Sequence, residues 1–77
     1  MISFAPFREL VKERKISTYY LRNKCGEYNL DSKTIQRLMN DESVSTYTLN
    51  AICHILNCQL SDVVEFRVDD QTENNHL

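Results

Sequence analysis

A single glycine, Gly26, and a single proline, Pro6, punctuate the whole chain. A β-sandwich or barrel needs a turn signal about every 8–12 residues, so a chain with two such breakers in 77 positions points to helices. That length allows one small domain, which buries only roughly 60% of its unfolded surface, so each apolar position matters to the core. No apolar run approaches the ~20 residues that span a bilayer, and the opening MISFAPFREL lacks the basic-then-apolar pattern of a signal peptide. Three cysteines cannot all pair, and the expectation is a reduced, cytoplasmic protein.

The apolar spacing predicts five short helices and an all-α fold. The first covers about Ala5 to Lys15, with Phe4, Phe7, Leu10 and Val11 on one stripe and Pro6 in its first turn. Ser17 is a natural cap for a second helix, Thr18 to Cys25, burying Leu21 and Cys25, with Gly26 at its C-terminal end. Asp31 caps a third helix, Ser32 to about Asn40, whose inward face is Ile35, Leu38 and Met39. A polar loop, Asp41 to Ser45, leads to a fourth helix capped by Ser45 or Thr46, with the stripe Leu49, Ile52, Cys53 and Leu56. Ser61 is expected to cap a short last helix carrying Val63, Val64 and Phe66. Val63 to Val68 is also rich in strand-forming residues, and the preferred reading there is a helical turn running into an extended end. The domain is expected to cover residues 1–68, followed by a flexible tail over 69–77 that has no apolar periodicity.

Charge is unevenly distributed. Residues 1–40 hold eight basic side chains against Glu9, Glu13, Glu27 and Asp31, a balance of +4. Residues 41–77 hold Arg67 against seven acids, a balance of −6. Such polarity suggests one face for an anionic partner, although an unevenly charged solvated surface reads the same way.

Helices two and three form a helical hairpin whose outer side carries Ser32, Lys33, Gln36, Arg37 and Asn40. These are residue types that read base edges. Lys33 and Arg37 can donate to guanine and Gln36 can pair with adenine in a major groove roughly 12 Å wide. Lys33 and Arg37 are four apart and emerge on one face. Thr18, at the start of helix two, is placed to hydrogen-bond a phosphate. An ordinary solvated helix also carries polar side chains outside, so spacing leaves both readings open.

The stretches Phe4–Phe7, Lys15–Leu21, Ser32–Leu38, Ser45–Cys53 and Leu56–Phe66 together decide more. In their order and spacing the chain resembles the lambda-repressor-like, xenobiotic-response-element family of helix–turn–helix transcriptional regulators, in its compact Cro-type form. The resemblance covers nearly everything up to Phe66. It implies a five-helix domain that binds double-stranded operator DNA as a homodimer, with no catalytic activity; the expected role is that of a repressor, and the sequence gives no sign of a cofactor, membrane association or small-molecule substrate. Carried over by position, base contacts fall to Ser32, Lys33 and Arg37, with Gln36 flanking. Thr18, Tyr19 and Asn40 match backbone-contacting positions, and Thr34 matches a packed one. The sequence departs from the family pattern twice. Glu27, Tyr28 and Asn29 are inserted before Leu30 and Asp31, and the Asp41–Ser45 loop carries two acids and no base, which weakens phosphate attraction.

The remaining candidates are weaker. Cys53, His54 and Cys58 invite a metal reading, but no fourth ligand completes the set and Cys53 lies on the apolar stripe. Small buried hydrophobes are the expected role of Cys25, Cys53 and Cys58; of the three, only Cys25 has a flanking base, Lys24, to favour thiolate chemistry. Tyr19 and Tyr20 are consecutive, so at most one is expected to face a ligand while the other packs inward. Ile55, off the main stripe, joins Val64, Phe66 and Val68 in a candidate dimer patch. An enzyme lacks its nucleophile–base pair here, since only one histidine lies outside the tail. A protein-interaction adaptor of antitoxin or anti-repressor type, using the same fold, would explain the acidic second half; salt-dependent retention on duplex DNA separates it from a regulator.

Overall fold

The computed structural model describes residues 1–68. The expected tail over 69–77 lies outside the described residues. The elements run β1 (Ile2–Ser3), α1 (Ala5–Glu13), α2 (Thr18–Asn23), α3 (Ser32–Met39), α4 (Thr46–Leu56) and β2 (Glu65–Phe66), with single 3-10 turns at Gly26–Tyr28 and Leu60–Asp62.

The first turn of α1 shows how local and distant groups share the work of starting a helix. A helix start leaves its first amides without intrahelical partners. Here the Ala5 amide donates to Ser3 Oγ, Pro6 has none to satisfy, and the Phe7 amide donates to the carbonyl of Val63, 3.1 Å away. The later helices use side-chain caps. Ser17, Asp31 and Ser45 accept from the amides of Tyr20, Thr34 and Thr48 respectively, as their positions in the sequence predict.

Three helix ends turn through the left-handed region, at Lys15, Asp41 and Asn57, with φ of 57°, 58° and 50°. At the first, the amides of Lys15 and Ile16 return to the carbonyls of Lys12 and Val11, a Schellman closure. It stops α1 at Glu13, two residues short of the expected Lys15. Helix α2 likewise stops at Asn23 rather than Cys25, because the Cys25 amide is taken by the Asn29 side chain at 2.7 Å. Gly26, at φ +62°, therefore opens the following 3-10 turn instead of capping α2.

The expected fifth helix is not formed. Gln59 and Asp62 cap a single 3-10 turn in place of a helix started by Ser61. The chain then extends into β2, which pairs antiparallel with β1, Ile2 opposite Phe66 and Ser3 opposite Glu65. The β-branched run after Asp62 suits this pairing better than a helix. The fold is thus mostly helical, with four helices and a two-stranded sheet joining the two ends of the described chain.

Eleven residues form the core, and Phe7, Leu21, Leu38, Ile52, Leu56 and Val63 are its largest fully buried members. All four helices contribute, together with Phe4, Leu30 from the α2–α3 connection and Val63 after the last turn. Met39, expected inside, is 38% exposed, because Ile35 and Leu38 already fill the inward face of α3. Cys25, Cys53 and Cys58 are half-buried rather than buried. No helix among the described residues is long and apolar enough to cross a membrane.

Candidate nucleic-acid interface

Burial of Ile35 and Leu38 fixes the rotation of α3. With those two side chains inward, Ser32, Lys33, Gln36, Arg37 and Asn40 are all exposed on the opposite stripe. Thr18, the first residue of α2, faces them across a shallow groove of about 210 Å³ lined by Thr18, Arg22, Ser32, Ile35 and Gln36. The structure therefore brings the start of α2 and the outer face of α3 together.

Arg22 is a member of this face that sequence reasoning missed. Its Nη1 donates to Ser32 Oγ at 3.1 Å, bridging α2 and α3. The signal was present, since Arg22 lies four residues after Thr18 and so on the same side of α2. Tyr19 and Tyr20 are both exposed, at 57% and 44%, against the expectation that one packs inward. Helix α2 is short and buries Leu21 alone, which leaves both flanking rings in solvent. Lys24 Nζ stands 5.9 Å from the centre of the Tyr19 ring, a cation–π distance that sets another positive charge beside Tyr19.

Two carboxylates near the face are held in place. Asp31 is held below the ordinary carboxyl range by hydrogen bonding from the Thr34 side chain and then from the Thr34 amide, 2.7 Å away, with Arg37 and Lys33 adding to it. Asp41 accepts from Arg8 Nη1 at 2.8 Å and from the Phe4 amide at 2.7 Å, which lowers its carboxyl in the same sense. Arg8 Nη1 also donates to the Leu38 carbonyl at 2.9 Å, tying the end of α3 to α1. Of the two acids that make this loop look hostile to phosphate, Asp41 is thus matched internally by Arg8, and Glu42 is exposed.

The four candidate dimer residues are placed unequally. Phe66 and Val68 are 69% and 57% exposed, with the half-exposed Ile2 directly opposite Phe66. Ile55 and Val64 are half-buried against the domain's own core. A hollow of about 400 Å³ lies between Ile2, Phe4, Val44, Leu49 and Val64; it shares no residue with the α2–α3 groove. Among the described residues, no three histidine, cysteine or acidic side chains are grouped to hold a metal ion. Of the suspected metal ligands, His54 stacks on Tyr28. Burial, then the neighbouring Cys53 and Asp62, push the Cys58 thiol up, and burial does the same to Cys25, so neither is poised as a thiolate.

Comparison with known proteins gives two matches. Residues 7–69 match the model of the Cro/C1-type helix–turn–helix DNA-binding domain. The crystal structure of the transcriptional regulator VanUg is similar over 83% of this chain and 81% of that one, with a TM-score of 0.70 and 31% identity. No curated protein matches.

Proposed function

The chain belongs to the family of Cro/C1-type helix–turn–helix DNA-binding domains, and from that premise we propose that it is a transcriptional regulator, a repressor that recognises one double-stranded operator sequence. The structural similarity to a transcriptional regulator supports this reading. The observation that carries it is the rotation of α3, which buries Ile35 and Leu38 and leaves Ser32, Lys33, Gln36 and Arg37 outward beside Thr18.

In this reading α3 enters the major groove. Lys33 and Arg37 donate to guanine edges and Gln36 to adenine, while Ser32, already engaged by Arg22, meets the base nearest the helix start. Thr18, Tyr19 and Asn40 touch the backbone and fix register without reading sequence. A homodimer formed through the exposed Phe66 and Val68 end, with Ile55 and Val64 behind it, sets two such helices about 34 Å apart on a palindrome. No catalytic step belongs to this mechanism, and the free thiols accord with a reducing, cytoplasmic setting.

The test is selection from a pool of randomised duplexes, followed by titration of the enriched sequence at several salt concentrations. A single enriched palindrome, bound more weakly as salt rises, is the expected result. Enrichment of no sequence, with no retention on any duplex at low salt, would overturn the reading in favour of a protein-interaction adaptor.

A further inference from the structure

We propose that Tyr28 and His54 are positioning residues that set the approach of α3 to DNA without touching DNA themselves. This inference rests on the DNA-binding reading of α3 given above.

The inserted residues between α2 and α3 are ordered into a strut. Gly26 opens it at φ +62°, a conformation that disfavours a side chain. The Tyr28 amide returns to the Cys25 carbonyl at 3.1 Å, the Asn29 amide to the Gly26 carbonyl at 3.2 Å, and the Asn29 side chain accepts from the Cys25 amide. The Leu30 amide then bonds back to Leu21 at 2.8 Å, and Asp31 caps α3. Only Asn29 and Leu30 separate Tyr28 from that cap, so the place of Tyr28 is passed on to the start of α3.

Tyr28 is itself held from α4. Its ring lies flat on the imidazole of His54, with centroids 4.8 Å apart and planes 8° from parallel. Ala51, Ile52 and Leu56 bury α4 in the core, so His54 stands on a fixed element. The far end of α3 has its own anchor, since Arg8 bonds the Leu38 carbonyl and Asp41. The start of the reading helix is therefore held from α2, by the Leu30 amide on Leu21 and by Arg22 on Ser32, and from α4 by the stack, whereas its end is held from α1 by Arg8.

The stack lies at the edge of the core: His54 is exposed, and the half-buried Tyr28 packs against the core without being one of its eleven members. Removing the imidazole opens no cavity. It removes the α4 side of the strut's support and leaves the α2 side, which lets Ser32 and Lys33 shift while Arg37 and Asn40 stay under the Arg8 anchor. Loss of the stack should thus blur only those base pairs read by the start of α3.

The experiment uses the duplex that the full chain enriches from a randomised pool, and measures binding to every single-base-pair variant of it. Lys33→Ala marks the base pairs read by the start of α3, and Arg37→Ala those read by its end. His54→Ala and Tyr28→Ala are expected to weaken the best duplex about 2- to 12-fold, the range that an aromatic pair supports. They should flatten preference at the Lys33-dependent base pairs and keep it at the Arg37-dependent ones. His54→Phe and Tyr28→Phe, which keep a stacked ring, should restore both affinity and preference. Circular dichroism and the melting midpoint confirm that each variant is folded at the binding temperature. Unchanged preferences in His54→Ala, an equal loss at every base pair, or failure of the phenylalanine variants to rescue would overturn the proposal. If the wild-type chain enriches no duplex, the DNA-binding reading itself fails and this inference falls with it.

Discussion

Arg8 Nη1 lies 2.8 Å from Asp41 Oδ1, joining the first helix to the turn that ends the third. The two residues are 33 positions apart, and both side chains are about 30% exposed. Asp41 sits at φ 58°, where it closes α3, so the pair fixes the end of α3 and its left-handed turn together.

This pairing gives acid sensitivity a defined direction. Asp31 and Asp41 both have carboxyls lowered by hydrogen bonds, from Thr34 and from Arg8 respectively. A carboxyl depressed in the folded state contributes stability that is fully present above its unfolded value, about 3.9, and is lost as pH falls through the folded value. The melting midpoint should therefore drop below about pH 4. Asp41→Asn should lower the midpoint at neutral pH and make the acid drop shallower, as melting curves from pH 2 to 7 will show. An unchanged midpoint at neutral pH would mean that the Arg8 pair contributes nothing.

Backbone strain separates two sites that look alike. Gly26 adopts φ +62° with open space where a Cβ would stand, so Gly26→Ala should cost about 1 kcal/mol through conformation alone. Lys15 adopts φ 57° as a non-glycine residue, and Lys15→Gly should be neutral or stabilise by up to about 1 kcal/mol. Urea unfolding of both variants reads the difference. Equal destabilisation by both changes would contradict the assigned turns.

The thiols should be slow. Burial raises Cys58, with Cys53 and Asp62 adding to it, and burial raises Cys25. At pH 8 both are expected to react with iodoacetamide more slowly in the folded chain than in denaturant, because the thiolate is the nucleophile. Mass spectrometry of peptides sampled over time measures each site separately. A folded-state rate matching the denatured one would show that these thiols are open.

Phe66 and Val68 are the exposed end of the candidate dimer patch. Phe66→Ser should weaken self-association in sedimentation equilibrium and reduce binding to a palindrome more than to its half-site. Its effect on the monomer's stability should be small, since the ring is 69% exposed. A wild-type chain that stays monomeric at high concentration, with and without DNA, would contradict the dimer.

Local signals in the sequence were legible where they were self-sufficient. Ser17, Asp31 and Ser45 cap the helices that their positions indicate, and the spacing of Phe7, Val11, Leu21, Ile35, Leu38, Ile52 and Leu56 marks the core. The misses are non-local. Ile2–Ser3 is too short to show a strand period, and its partner Glu65–Phe66 lies at the other end of the described chain, so the extended end after Val63 is legible but its pairing with Ile2–Ser3 is not. Arg8 reads in the sequence only as one of the eight basic side chains of the first half, because nothing in its neighbourhood announces Asp41. Lys15 carries no glycine or asparagine signal for a left-handed turn, so the apolar spacing carries α1 two residues past its end at Glu13. The outer face of α3 is readable because its two buried residues set the rotation; the spacing of Arg22 from Thr18 gives its side of α2, but not its contact with Ser32, which crosses the hairpin.

The central claim is that α3 reads sequence through its outward stripe, and Arg37→Ala tests it most directly. Arg37 is exposed, so the change should leave folding stability within about 0.5 kcal/mol of wild type. Binding to the enriched duplex, measured by titration at fixed salt, should weaken by about 1–3 kcal/mol, with preference relaxed at one base pair. Thr18→Ala, measured alongside, should weaken all duplexes alike. If Arg37→Ala binds its best duplex as tightly as wild type and with the same preferences, α3 is not the reader.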